Sequence, residues 1–226
     1  MTTLLQPWGD DVWIATAPQT MFGLHLGTRM TVVRLPGGSL WVHSPIAATG
    51  PLRAELDALG PVAHVVAPSL FHHLHAGDMA KAYPGAMVHA PAALKKKRPD
   101  LEIDAELSGA AHPEWKDALS PLAIEGCALG ETVFLHAGSK SVISSDLTEN
   151  FSTSPHWPTR LYLKAGGVYG KPGWSRLLHF VYRDKKAARR SIDALLERDF
   201  DRAVIAHGDP LTSGAKEAVR QTFAFL

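Results

Sequence analysis

"HVVAPSLFHHLHAGDM", residues 64–79, sets His72, His73, His75 and Asp78 within seven positions, directly after a β-branched run. The run is short and bounded by Gly60-Pro61 and Pro68, which fits a buried strand over 62–68. The spacing predicts a helix beginning near Gly77-Asp78 and ending before Pro84-Gly85, followed by a second short strand, "AMVHA" at 86–90. Strand, helix, strand is the rhythm of an α/β protein, and in such folds the loop after a strand presents groups that the sheet holds in place.

Towards the N-terminus, "DVWIATA" (11–17), "RMTVVRL" (29–35) and "SLWVHS" (39–44) alternate like antiparallel strands. Leu52, Leu56 and Leu59 recur at helical spacing before Gly60-Pro61. Towards the C-terminus, residues 99–121 read as irregular, and "LAIEG", "ETVFLH" and "SVISSD" read as strands. Residues 147–180 carry Pro155, Pro158, Pro172 and several glycines and show neither period, which predicts a long loop or lid inside a single domain over 1–226. The aromatics there, Trp157, Tyr162, Tyr169 and Trp174, either cover a pocket or anchor the loop. Asp184 should cap a helix over 185–198, "RAVIAHGDP" (202–210) should be a strand ending on His207, and Ser213 should cap a final helix.

Composition narrows the class. With 226 residues, 46% hydrophobic, the chain can bury a substantial core. Its 23 basic and 22 acidic residues nearly cancel, so no broad field points to nucleic acid or an anionic membrane, and "KKKR" at 95–98 reads as a solvated helix end. No apolar run approaches the ~18 residues of a membrane span. The N-terminus has no leader pattern and Cys127 is the only cysteine, from which we expect a cytoplasmic protein acting on a small molecule; oligomeric state is not legible.

Three places share one feature, a ligand-type residue where a buried strand ends: His72 and His73 after "HVVAPSLF", Asp146 after "SVISS", and His207 after "RAVIA". Imidazoles with a carboxylate suit zinc first, and also iron or manganese. His43 ends a strand and either supports such a site or is plain polarity, and Asp78 reads as a helix-start residue. His25, His64, His89, His112, His156 and His179 show no partner pattern and read as structural.

The order of elements, with a histidine cluster after an early strand, an aspartate ending a later one and a His-Gly ending the last, resembles the metallo-β-lactamase superfamily, an αββα sandwich, over most of the chain. That family's motif is H-x-H-x-D-H. On this resemblance His72-His73 fall on its Asp-His pair, and its first two histidines fall on Pro68 and Leu70, which offer no ligand atom. "ISSD" is similar to the family's strand-end aspartate and "AHGD" to its final histidine, while its remaining histidine falls near "EGCALGE", which offers Cys127 and Glu131. The pattern is similar to a divergent, uncharacterised branch of the superfamily, which brings no reaction with it. The resemblance implies one divalent metal per chain at the second position of a normally binuclear site, held by His72, His73, Asp146 and His207.

Two functions follow as expectations: a metal-dependent hydrolase using an activated water, or a non-catalytic binding module with a structural metal or none. Iron would also permit redox chemistry. One further residue is expected at the site. If "AGSK" is a hairpin loop, His136 pairs with Ser141, and counting back along an antiparallel ladder sets Glu131 opposite Asp146. At about 3.3 Å per residue His136 then lies some 16 Å away. Glu131 is thus expected beside Asp146, either accepting from a ligand histidine or facing the metal water as a base.

Overall fold

Runs of β-branched and aromatic residues build two sheets whose inner faces meet. The computed structural model describes residues 3–226. The first half of the chain supplies β1 (Gln6–Gly9), β2 (Val12–Ala17), a small hairpin of β3 (Thr20–Met21) and β4 (Leu24–His25), then β5 (Thr28–Arg34), β6 (Leu40–His43), β7 (Val62–Val66), β8 (Met87–Ala90) and β9 (Ala105–Glu106). Without the hairpin these form a seven-stranded sheet in the order β1-β2-β5-β6-β7-β8-β9. It is antiparallel up to β6 and parallel from β6 to β9. The second sheet has the order β10 (Leu119–Ala123), β11 (Thr132–His136), β12 (Ser141–Ile143), β15 (Arg202–Val204), with β12 and β15 parallel. A two-stranded pair, β13 (Glu149–Asn150) and β14 (Pro172–Gly173), lies between them in sequence.

Three apolar layers follow from strand alternation. Met30, Val32, Val42 and Val65 face α1 (Gly50–Leu59), α2 (Ala76–Ala82) and α3 (Leu94–Lys97), which contribute Leu52, Leu56, Met79 and Leu94. Val33, Trp41 and Val66 point the other way and meet Phe134, Ile143 and Val204 of the second sheet, forming the central layer. On the far side Val133, Val142 and Ala203 pack on α5 (Lys185–Leu196) and α6 (Ala215–Thr222) through Ile192, Leu195 and Val219. Helix, sheet, sheet, helix is the αββα order that the family resemblance implies. Asp184 caps α5 as expected, its carboxylate accepting from the Ala187 amide at 3.0 Å.

Some elements differ from expectation. Residues 147–180 are not one long loop, because they contain α4 (Trp157–Gly166) and a 3-10 turn at Arg176–Val181. Pro158 sits in the first turn of α4, where a missing N–H costs nothing, so this proline starts a helix rather than preventing one. The strand expected at "LAIEG" begins earlier, at Leu119, and tolerates Pro121 because β10 is an edge strand. Ser213 does not cap α6. Gly214 occupies the cap position and its amide donates to the Asp201 carboxylate at 2.9 Å.

The parallel strands β6 and β7 of one sheet and β12 and β15 of the other all end at a common rim, where the chain leaves the sandwich. No helix among the described residues is long and apolar enough to cross a membrane.

Candidate metal centre

His72, Asp146 and His207 converge on that rim. The Nε2 atoms of His72 and His207 lie 3.2 Å apart, and they stand 3.3 and 3.4 Å from Asp146 Oδ1. All three residues are buried. The other carboxylate oxygen, Asp146 Oδ2, is buried with no hydrogen-bond partner.

Local structure aims each donor. After β7 the chain turns tightly, and the buried Ser69 hydroxyl accepts from the amides of Phe71 (3.2 Å) and His72 (3.1 Å). Ser44, at the end of β6, lies at φ 49°, a left-handed conformation that costs a side-chain-bearing residue about 1–2 kcal/mol. Its hydroxyl meets His72 Nδ1 at 2.8 Å and so turns Nε2 towards Asp146. His207 donates from Nδ1 to the Gly27 carbonyl at 2.8 Å, which leaves its Nε2 lone pair facing the centre in the neutral ring. The buried Arg29 guanidinium grips the same turn, donating to the carbonyls of Ile205 and of Gly208, the latter at 2.8 Å.

His73 does not join the cluster. The two adjoining residues lie in the turn that precedes α2, and only His72 points into the cluster. The His73 Nδ1 accepts from Arg98 at 3.1 Å, which puts its proton on Nε2. Its pKa is lowered, by burial first and then by Lys97 and Arg98. The basic run is therefore more than a solvated helix end: Lys97 donates to the Leu70 carbonyl and Arg98 to the His73 ring, both tying the loop down.

Glu131 stands beside Asp146 with the expected register, His136 opposite Ser141 and Leu135 opposite Val142. Its Oε1 accepts from the Ser145 amide (2.6 Å), the Ser145 hydroxyl (2.9 Å) and the Asp146 amide (3.1 Å). Its carboxyl thus shapes the turn that carries Asp146, and it meets neither a ligand histidine nor the cavity described below. Burial, and then the Asp146 charge, push it up to about 8. His136 turns away to the Ser139 hydroxyl at 2.9 Å. Burial pushes the Cys127 thiol up to about 11, and it takes no part in the cluster.

Burial alone would raise the Asp146 carboxyl, but the two imidazoles outweigh it and hold it well below the usual carboxylate range. Conversely, burial would lower His207, and Asp146 overrides it and raises its pKa. His43 stacks on Trp41 with both ring nitrogens buried and unpartnered; burial, then His72, bring it down to about 3, so it is a neutral neighbour.

A cavity of about 300 Å³ opens onto the three donors. Its walls are apolar, with Leu26, Phe71, Leu129, Trp174, Leu178 and Val181 prominent, and the β3–β4 hairpin closes one side with Met21, Phe22 and Leu24. Trp174 and Tyr162 line it, so part of the 147–180 segment does border a pocket.

Glu149 is the cavity residue that sequence reasoning missed. It lies three residues past Asp146 on β13, and burial pushes its carboxyl up to about 7. The native state therefore holds its proton between pH 4.5 and about 7, where the unfolded chain has lost it. Stability from this group is present in full below pH 4.5 and is lost as pH rises through about 7. We expect chelator-treated protein to lose stability over that interval, by about 1–3 kcal/mol, relative to Glu149→Gln. Denaturant midpoints of both proteins at pH 5 and pH 8 measure it, and parallel pH profiles would contradict it.

Two imidazole nitrogens and a carboxylate, with one carboxylate oxygen buried and unpartnered, fit a divalent cation of the zinc type. A family described as a domain of unknown function (DUF4336) matches residues 9–93. Among curated proteins none matches the sequence. Solved structures do match. A metallo-β-lactamase from Pontibacter korlensis superposes with a TM-score of 0.64 at 16% identity, covering 96% of this chain and 98% of that one. The DIM-1 metallo-β-lactamase exposed to ceftazidime gives 0.69 at 12% identity, covering 98% and 96%. FIM-1 from Pseudomonas aeruginosa, in a mono-zinc form, gives 0.67 at 14%, covering 97% and 93%. At such low identity the likeness speaks for architecture and not for activity, and together with the αββα layers it shows that this chain has the metallo-β-lactamase fold.

Proposed function

We propose that the protein is a metal-dependent hydrolase with one metal at its catalytic rim, held by His72, Asp146 and His207, zinc being the best fit. The observation that carries this is the placing of three convergent donors on the wall of an apolar cavity, which leaves the cavity side of the cluster free of protein ligands. Three protein ligands with an accessible position is the arrangement of catalytic zinc, whereas a structural site is closed by four. A metal bound there supplies a water acidified to near-neutral pKa and polarises a carbonyl or phosphoryl oxygen.

The chain's own residues do the rest. The walls at Leu26, Phe71, Leu129 and Trp174 bind the apolar part of a small substrate and exclude water. Ser44 and the Gly27 carbonyl hold the two imidazoles in orientation. Glu149, protonated near neutrality and facing the same cavity, keeps a proton available at its carboxyl oxygen for the leaving group. Substrates with an apolar acyl or aromatic moiety and an ester, amide or lactone bond suit this site better than highly charged ones. A cytoplasmic location is part of the proposal and rests on the sequence alone.

Protein stripped with a chelator should hydrolyse none of a panel of apolar esters, lactones and phosphoesters, and one equivalent of zinc at the rim should restore turnover. Metal-loaded protein inert to the whole panel, with a fourth protein atom completing the coordination, would favour the binding-module alternative.

A further inference from the structure

We propose a second metal site, separate from the catalytic rim, in which His64, His112 and Glu114 bind a zinc-type cation with His89 supporting His64. Nitrogen or carboxylate oxygen atoms of His64, His112 and Glu114 all lie within 4.8 Å of one another. His64 and His89 stand on the adjacent parallel strands β7 and β8, and both are buried on the inner face of the sheet. His112 and Glu114 come from the irregular segment that covers this end of the sheet, and Trp115 packs against all three imidazoles at centroid distances of 5.0, 4.4 and 5.3 Å. No side chain is shared with the catalytic cluster.

The hydrogen-bond order favours a cation here. His64 donates from Nε2 to Glu114 Oε2 at 3.1 Å, and its Nδ1 then accepts from His89 Nε2, also at 3.1 Å. A cation can take the place of the proton between His64 Nε2 and the carboxylate. The proton moves to His64 Nδ1, which donates to His89 Nε2, while His89 carries its own proton on Nδ1. Every ring stays neutral, and His89 becomes the acceptor that orients a ligand histidine.

Tetrahedral zinc with bonds near 2.0–2.1 Å needs donors about 3.4 Å apart; His64 and Glu114 already stand at 3.1 Å, and the wider separations, up to 4.8 Å, must close by up to about 1.4 Å. The movable partners are on the covering segment: the Glu114 side chain is 57% exposed, against 1% for His64. Two imidazoles and a carboxylate leave a fourth position for water, and a cation held there would tie the covering segment to the sheet. Interior strand positions are normally apolar, and two histidines placed there under a third and a glutamate form a donor set rather than packing alone.

The test is equilibrium dialysis of the chelator-stripped full chain against zinc, followed by elemental analysis, on four proteins. The wild type should hold two equivalents, His207→Ala one, and the covering-segment double variant His112→Ala/Glu114→Gln one, while the combined variant should hold none. In the His207→Ala background, zinc should also raise the melting temperature, and His112→Ala/Glu114→Gln should weaken that binding by more than about 100-fold. His207→Ala protein that is folded by circular dichroism yet binds no zinc would overturn the proposal, as would a second equivalent that survives the double variant. Failure of the catalytic reading shows differently, as a wild-type equivalent that His207→Ala does not remove.

Discussion

His207→Ala should lower the affinity of the His72, Asp146 and His207 cluster for zinc by more than about 100-fold and abolish any hydrolysis that depends on it. His207 supplies one of three donors, and loss of a hydrogen bond that merely supports a ligand already costs about 10–100-fold. The substitution also removes one of the two imidazoles that hold the Asp146 carboxyl ionised in a buried setting. Alanine leaves the Gly27 carbonyl to solvent or a neighbouring donor, so the fold should survive. Affinity is best read by titration with a competing chelator in the His112→Ala/Glu114→Gln background, where the rim alone is observed. Binding within a few-fold of that background protein would show that His207 is not a ligand.

The second large effect is expected one residue further on. Gly208→Ala should destabilise the protein by about 3 kcal/mol or more, the sum of a left-handed backbone cost of about 1–2 and overpacking of about 1–3. Gly208 has φ 80°, and a Cβ there would lie 2.1 Å from the Asn150 carbonyl oxygen, a backbone atom that cannot swing aside. That carbonyl also accepts from the Asp209 amide at 2.6 Å, so the turn cannot retreat without breaking a bond. Because the Asn150 amide donates to the His207 carbonyl, relief of the clash would also move His207. Thermal unfolding should drop by about 6–12 °C for a chain of this size. A melting temperature within a degree or two of wild type would mean that the turn has room the structure does not show.

Much of the site was legible where a local rule governs it. A β-branched run followed by a turn marks a strand end, and strand ends in an α/β fold share a rim, so His72, Asp146 and His207 could be named from sequence. The position of Glu131 came from counting a two-residue period along a hairpin. Its contacts did not: nothing in the hairpin says that the carboxyl serves the Ser145 and Asp146 amides rather than a histidine. The helix at Trp157–Gly166 is not legible from period alone because the prolines and glycines of 147–180 count as breakers, although Pro158 lies in the one turn that tolerates proline.

What the sequence determined by itself is the element order, the strand ends and the residue types that wait there, because period, capping and turn chemistry act over a few residues. Which of those residues share a point was decided only by the tertiary structure. His73 adjoins His72 in the chain yet points to Arg98, which follows α3 and is brought there only by the packing of the covering helices. His64 and His89 are distant in sequence yet meet at 3.1 Å, since parallel pairing sets β7 beside β8. The orienting groups behave likewise: Ser44 reaches His72 from the end of the neighbouring strand β6, and Gly27 and Arg29, before and on β5 of the first sheet, reach the turn that carries His207 after β15 of the second. A side chain's direction is fixed relative to its own element, but convergence depends on how the two sheets and their covering segments are placed, and that placement is set by burial of the whole apolar interior rather than by any local pattern.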